Sequence, residues 1–204
     1  MAQTVEYLDT RGGGPGRPPA EIAAVNRYQR DLEDAYDEWA DDAGQELAKE
    51  QDWDKRRSLL ALLLGLLLTK LIDLGHAELP NAITLGLGGE IARPDVYAKI
   101  AAALQENDNY LKNSLLPDIG IRMAQALNDP AILAAIAAGS TAVAADAIAS
   151  QAKLLGARVA QYSGSWWALM NYAVGAQAAE QGKRIRWTRD QNAKHCYTCL
   201  TYGE

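Results

Sequence analysis

The chain of 204 residues is 49% apolar and 23% charged, with a formal charge of −6 and a pI near 5.0. That balance excludes a disordered chain and a predominantly membrane-embedded one. The acidic excess also argues against a protein whose task is gripping phosphate backbones, although Lys183, Arg184, Arg186 and Arg189 form a local basic patch.

Residues 1–19 carry no charged start followed by an apolar run, so no secretory signal is expected. They end in RGGGPGRPP, which predicts a flexible N-terminal arm. A helix is predicted from about Ala20, just after Pro18 and Pro19. Val25, Tyr28, Leu32, Tyr36, Trp39, Ala43 and Leu47 recur along it with a period of about 3.67, one apolar stripe on a long helix. Val25, Tyr28, Leu32, Tyr36 and Trp39 are therefore candidate interface residues. The remaining faces hold Asp31, Glu33, Asp34, Asp37, Glu38, Asp41 and Asp42, either a solvated surface or an acidic docking surface for a basic partner.

A second helix is predicted over Trp53–Leu74, apolar on nearly every side from Leu59 to Leu68. Ten apolar residues fall short of the roughly 20 that span a bilayer. Such a helix must be covered, by this fold or by a neighbouring chain. Gly75 reads as its stop, and residues 76–93, with Pro80, Gly86, Gly88 and Gly89, as an irregular connection in which His76 has no Cys or His nearby.

Pro94-Asp95 opens a third helix, expected to run towards Leu115 and to be interrupted at Pro117. Asn128-Asp129-Pro130 is a start signal with Asp129 as cap. The Ala-rich stretch from there to about Gln181 is one helix, or two broken near Gly139-Ser140. Within it Ile148, Ala152, Leu155, Val159, Tyr162, Trp166, Leu169, Ala173 and Ala176 alternate steps of 4 and 3, the seam of a coiled coil with an internal or external partner. Leu155, Tyr162, Trp166 and Leu169 join the candidate interface; Trp166, Trp167 and Tyr172 read as core or as interface anchors.

After Gly182 the sequence turns basic and β-favouring, then cysteine-bearing, the start of a short irregular or α/β appendage over 182–204. His195, Cys196 and Cys199 are candidate zinc ligands with Asp190 as a fourth, although adjacent His and Cys make awkward joint ligands and no second C-x-x-C is present. A redox pair fits less well, since C-x-x-C here follows a polar turn rather than a strand. Ser163-Gly164-Ser165 lacks the flanking glycines of a nucleophile elbow, and Gly86-x-Gly88-Gly89 lacks phosphate-loop spacing. No catalytic constellation is visible.

The expectation is a mainly α protein: an elongated bundle of long helices over 20–181, with the arm before it and the appendage after it. The stretch Lys153–Glu204 resembles the Mu-F-like phage head morphogenesis, or minor head, proteins. The likeness rests on Arg158, Tyr162 and Gly164, then Trp187, Asp190, His195-Cys196, Cys199 and Gly203. It covers about a quarter of the chain, and family members usually continue past the C-x-x-C with a further strand and more cysteines. The resemblance implies a non-enzymatic virion protein made in the host cytoplasm. It would sit at the portal vertex or capsid interior, with portal protein, major capsid protein and further copies of itself as partners. No resident cofactor, no specific nucleic acid and no membrane are expected as partners. The competing expectations are a small metal- or redox-dependent protein built on His195, Cys196 and Cys199, and a membrane-active helix at Leu59–Leu68.

Overall fold

The structure is a computed structural model that describes residues 4–9, 19–87, 94–156, 159, 170, 173, 175–179, 182 and 184–189. It is mainly α, and its elements fall into two compact units. One comprises Met1–Tyr28, Glu78–Gln105 and Ser163–Glu204; the other comprises Gln29–Ala77 and Glu106–Tyr162. Three helices contribute residues to both: α1 (Pro19–Lys49), α2 (Trp53–Gly86) and α3 (Pro94–Tyr110).

In the Gln29–Tyr162 unit, α1 buries Leu32, Tyr36, Trp39, Ala43 and Leu47 on one stripe. Asp52 caps α2 by accepting the Lys55 N–H at 2.9 Å. Arg56 is 2% exposed, and its Nε and Nη2 donate to the Glu50 carbonyl at 3.0 and 2.6 Å, while the guanidinium lies 5.9 Å from the Trp53 ring centre. The link between α1 and α2 is thereby pinned by an arginine tied to backbone rather than to a carboxylate.

The helix expected to stop at Gly75 runs on to Gly86, through Pro80, so residues 76–86 are helical and not an irregular connection. The apolar stripe explains the extension. Leu67, Leu71, Gly75, Leu79 and Ile83 recur every fourth residue and are all buried. Burying Leu79 and Ile83 contributes roughly 2 kcal/mol each. That offsets about 3 kcal/mol for an interior proline.

The interruption expected at Pro117 takes the form of a π-helical turn, Leu111–Leu115, in which the Leu116 N–H reaches back to the Leu111 carbonyl. Proline has no N–H to continue the ordinary ladder, and the widened turn buries Leu111 and Leu115. Helix α4 (Leu116–Ala126) then buries Leu116, Ile119 and Met123. Helix α5 (Pro130–Ala137) starts where expected, with the Asp129 carboxylate accepting the Ala131 N–H at 2.8 Å. Gly139, at φ +70°, turns the chain into α6 (Thr141–Lys153), the break foreseen at Gly139-Ser140.

The coiled-coil seam is not carried by one unbroken helix. After α6 closes, Leu154 and Leu155 form a turn in which the Leu155 N–H bonds the Ala152 carbonyl at 2.8 Å. Heptad spacing reports where apolar residues recur, and a tightened i→i+3 turn preserves that recurrence while ending the α ladder.

In the other unit, Leu79, Ile83, Leu87, Val96, Ile100, Leu104 and Ala173 form a core, with Ala176 against it. The predicted N-terminal arm contains a strand, β1 (Thr4–Asp9), which pairs in parallel with β2 (Arg184–Arg189), Tyr7 opposite Trp187. Thr4, Val5 and Tyr7 favour extended backbone, and pairing engages the N–H and C=O groups on the facing edge of each strand. The Gly/Pro run between residues 10 and 18 lies outside the described residues.

Candidate docking surface

The stripe of the first helix faces inward. Val25 and Tyr28 are 4% and 1% exposed, Leu32 and Tyr36 are fully buried, and Trp39 is 6% exposed. These five candidate interface residues are core, which corrects the expectation that they meet another chain. Two of them also form directed contacts. The Tyr36 hydroxyl donates to the Ala152 carbonyl at 2.8 Å, and the Trp39 indole N–H donates to the Leu63 carbonyl at 2.9 Å. Their rings pack with centres 5.3 Å apart. Burial pushes the Tyr36 phenol well above its ordinary range, with the Asp37 carboxylate adding to the effect. The acidic faces of α1 are partly used internally, as Glu38 pairs with Lys70 and Asp41 with Lys153. The Lys153 ammonium is raised by its hydrogen bond to Asp41.

What the inner stripe leaves uncovered is one side of α2. Leu60, Leu63, Leu67 and Leu71 are buried, whereas Leu62 and Leu66 are 62% and 58% exposed. A shallow, largely apolar groove follows that side, lined by Leu66, Thr69, Lys70, Asp73, Leu74 and Ala77. By length and composition α2 also reaches the threshold for a membrane span, with mean hydropathy 1.9 over its most apolar window, of which 28% is buried.

Other candidate residues are not gathered there. Leu155 is half-buried beyond the end of α6. Tyr162, Trp166, Leu169, Asp190, His195, Cys196, Cys199 and Gly203 lie outside the described residues, as does the Trp187 side chain. Among the described residues no group of three His, Cys, Asp or Glu side chains is arranged to hold a metal ion. His76 is paired: its Nε2 lies 2.8 Å from an Asp108 carboxylate oxygen, tying α2 to α3.

No protein-family model, curated protein or solved structure matches this chain. Sequence reasoning recognised that Leu59–Leu68 needs cover but did not single out Leu62 and Leu66. Where nearly every position is apolar, the pattern carries no phase. The side of α2 that faces the core is marked by a tertiary contact, the Trp39 indole N–H on the Leu63 carbonyl.

Proposed function

We propose that the chain is a non-catalytic structural protein of a tailed-phage head, docking on portal protein, the inner face of the major capsid protein or further copies of itself. The observation that carries the docking part is the bare side of α2, where Leu62 and Leu66 stand exposed opposite the buried Leu60, Leu63, Leu67 and Leu71. Contiguous exposed apolar surface flanked by polar residues marks protein contact more often than it marks open solvent. The head-protein part is supported by the motif resemblance of Lys153–Glu204, with Trp187, Asp190, Cys196, Cys199 and Gly203 in family order.

Co-sedimentation of the purified chain with assembled portal rings, and separately with capsid shells, tests this proposal. The wild-type chain is expected to pellet with one of them. Leu62→Gln with Leu66→Gln is expected to weaken that binding roughly a hundredfold, since each leucine forfeits on the order of 1.5 kcal/mol of burial. Absence of binding to both assemblies overturns the head-protein assignment.

A second reading, favoured by the hydropathy of α2, is a membrane-active helix. Leu63, Leu67 and Leu71 are buried within the chain, so insertion would require α2 to leave its own core. Flotation with lipid vesicles separates the two readings: a protein-docking chain stays at the bottom of the gradient.

A further inference from the structure

We infer that the bare side of α2 is covered by the same side of α2 from a second copy of this chain, in an antiparallel, two-fold symmetric contact. This rests on reading that side as a docking surface, and it names the occupant.

The register of exposed residues along α2 supports this contact. Lys55, Leu62, Leu66 and Asp73 are all exposed, and they follow one another at steps of seven, four and seven residues. At 3.6 residues per turn those steps keep the four side chains within roughly 40° of one another, on one side of the helix. The series is also symmetric about Leu64: Lys55 and Asp73 are equidistant from it, as are Leu62 and Leu66. Turning a second α2 antiparallel over that midpoint brings Leu62 of each copy to the level of Leu66 of the other. The same operation sets each Lys55 ammonium against the Asp73 carboxylate of the opposite copy, at both ends of the contact.

Within one chain those two charges are about 27 Å apart along the helix axis, far beyond direct interaction. Among the described residues neither forms an ion pair, although nearby Lys70 does, with Glu38. An isologous contact requires such self-complementarity, each residue meeting a different one whose own copy returns the contact. A parallel arrangement would set Lys55 against Lys55 and Asp73 against Asp73. A bilayer would take the leucines but gives no role to an oppositely charged pair at matched distances. The leucines supply the attraction, and the end charges select antiparallel orientation and register.

Sedimentation equilibrium on the full chain tests this, with circular dichroism melts confirming that each variant folds. The wild-type chain is expected to dimerise with rising concentration. Lys55→Glu sets Glu against Asp at both ends and Asp73→Lys sets Lys against Lys, so each alone is expected to weaken the dimer about tenfold. Mixing these two variants restores both pairs, so the mixture is expected to dimerise as tightly as wild type. So is the double variant carrying both changes. A chain that stays monomeric at millimolar concentration, or a mixture no tighter than its components, overturns the inference. So does loss of self-association into lipid vesicles through Leu62 and Leu66. A monomer that binds portal or capsid through Leu62 and Leu66 defeats the dimer alone. Indifference to both leucines in every assay defeats the docking reading as well.

Discussion

The Tyr36 hydroxyl donates to the carbonyl oxygen of Ala152, 116 positions further along the chain and 2.8 Å away. The same carbonyl accepts the Leu155 N–H where α6 ends, so it keeps one partner if the phenol is removed. Tyr36→Phe is therefore expected to cost only about 1 kcal/mol, the net value of one hydrogen bond. Tyr36→Ala, which empties a fully buried site, is expected to cost roughly 3–5 kcal/mol. Urea melts of both variants check the ratio.

The same phenol gives the fold an alkaline limit. Its folded pKa is raised above the unfolded value by burial first and by Asp37 second. The neutral form is the one the fold favours, so this contribution is fully present below about pH 10, the ordinary phenol value. It is lost as pH rises from there towards the folded value. Stability followed from pH 8 to 11 is expected to fall at the alkaline end, and the fall is expected to be shallower in Tyr36→Phe.

Two glycines of the same unit, one buried and one exposed, predict opposite outcomes from one substitution. A Cβ on Gly44 of α1 would lie 2.6 Å from the Ala145 carbonyl oxygen and 3.1 Å from the Ala149 Cβ, so α1 and α6 would have to separate. Overpacking of this kind costs about 1–3 kcal/mol. That exceeds the roughly 1 kcal/mol by which alanine favours helix over glycine. On Gly65 of α2 a Cβ meets nothing within 4 Å, and only the helix term remains. Gly44→Ala is expected to lower the melting temperature and Gly65→Ala to raise it.

Removal of Arg56 is expected to cost about 2 kcal/mol, because its bonds run from a charged donor to backbone acceptors. Since the acceptor is the Glu50 carbonyl and not a carboxylate, the loss in Arg56→Met is expected to change little between low and high salt. Breaking the exposed Lys70–Glu38 pair is expected to matter less, and only at low salt. Chemical denaturation at two ionic strengths compares them.

Much of this was written in the residues, but unevenly. The stripe from Val25 to Leu47 was legible because polar neighbours outline it on both sides. Whom it faces was not, since an inward stripe and an outward one have the same spacing. Asp129 announced the start of α5 through chemistry confined to a single turn. The passage of α2 through Gly75 and Pro80 was hidden because local propensity opposes it, while the deciding burial of Leu79 and Ile83 is tertiary. β1 was masked by the Gly/Pro run beside it, and its partner lies near the other end of the sequence. In the docking surface the need for cover was legible, whereas its location depends on Trp39 and Leu63, which only the folded chain brings together.

Leucines one position apart on α2 separate these explanations most sharply. Leu63 and Leu67 are 8% and 1% exposed, Leu62 and Leu66 mostly exposed, within a run that sequence alone treats as uniform. Leu67→Ala is expected to cost roughly 2–5 kcal/mol through lost contacts and the cavity left behind, and Leu63→Ala towards the lower end of that range. Leu62→Gln and Leu66→Gln are expected to change the stability of the isolated chain by no more than about 0.5 kcal/mol each, as exposed sites do. Thermal melts at low concentration, where self-association does not contribute, give the comparison. Four equal losses would mean that α2 is covered on every side, and the surface assigned to docking would not exist.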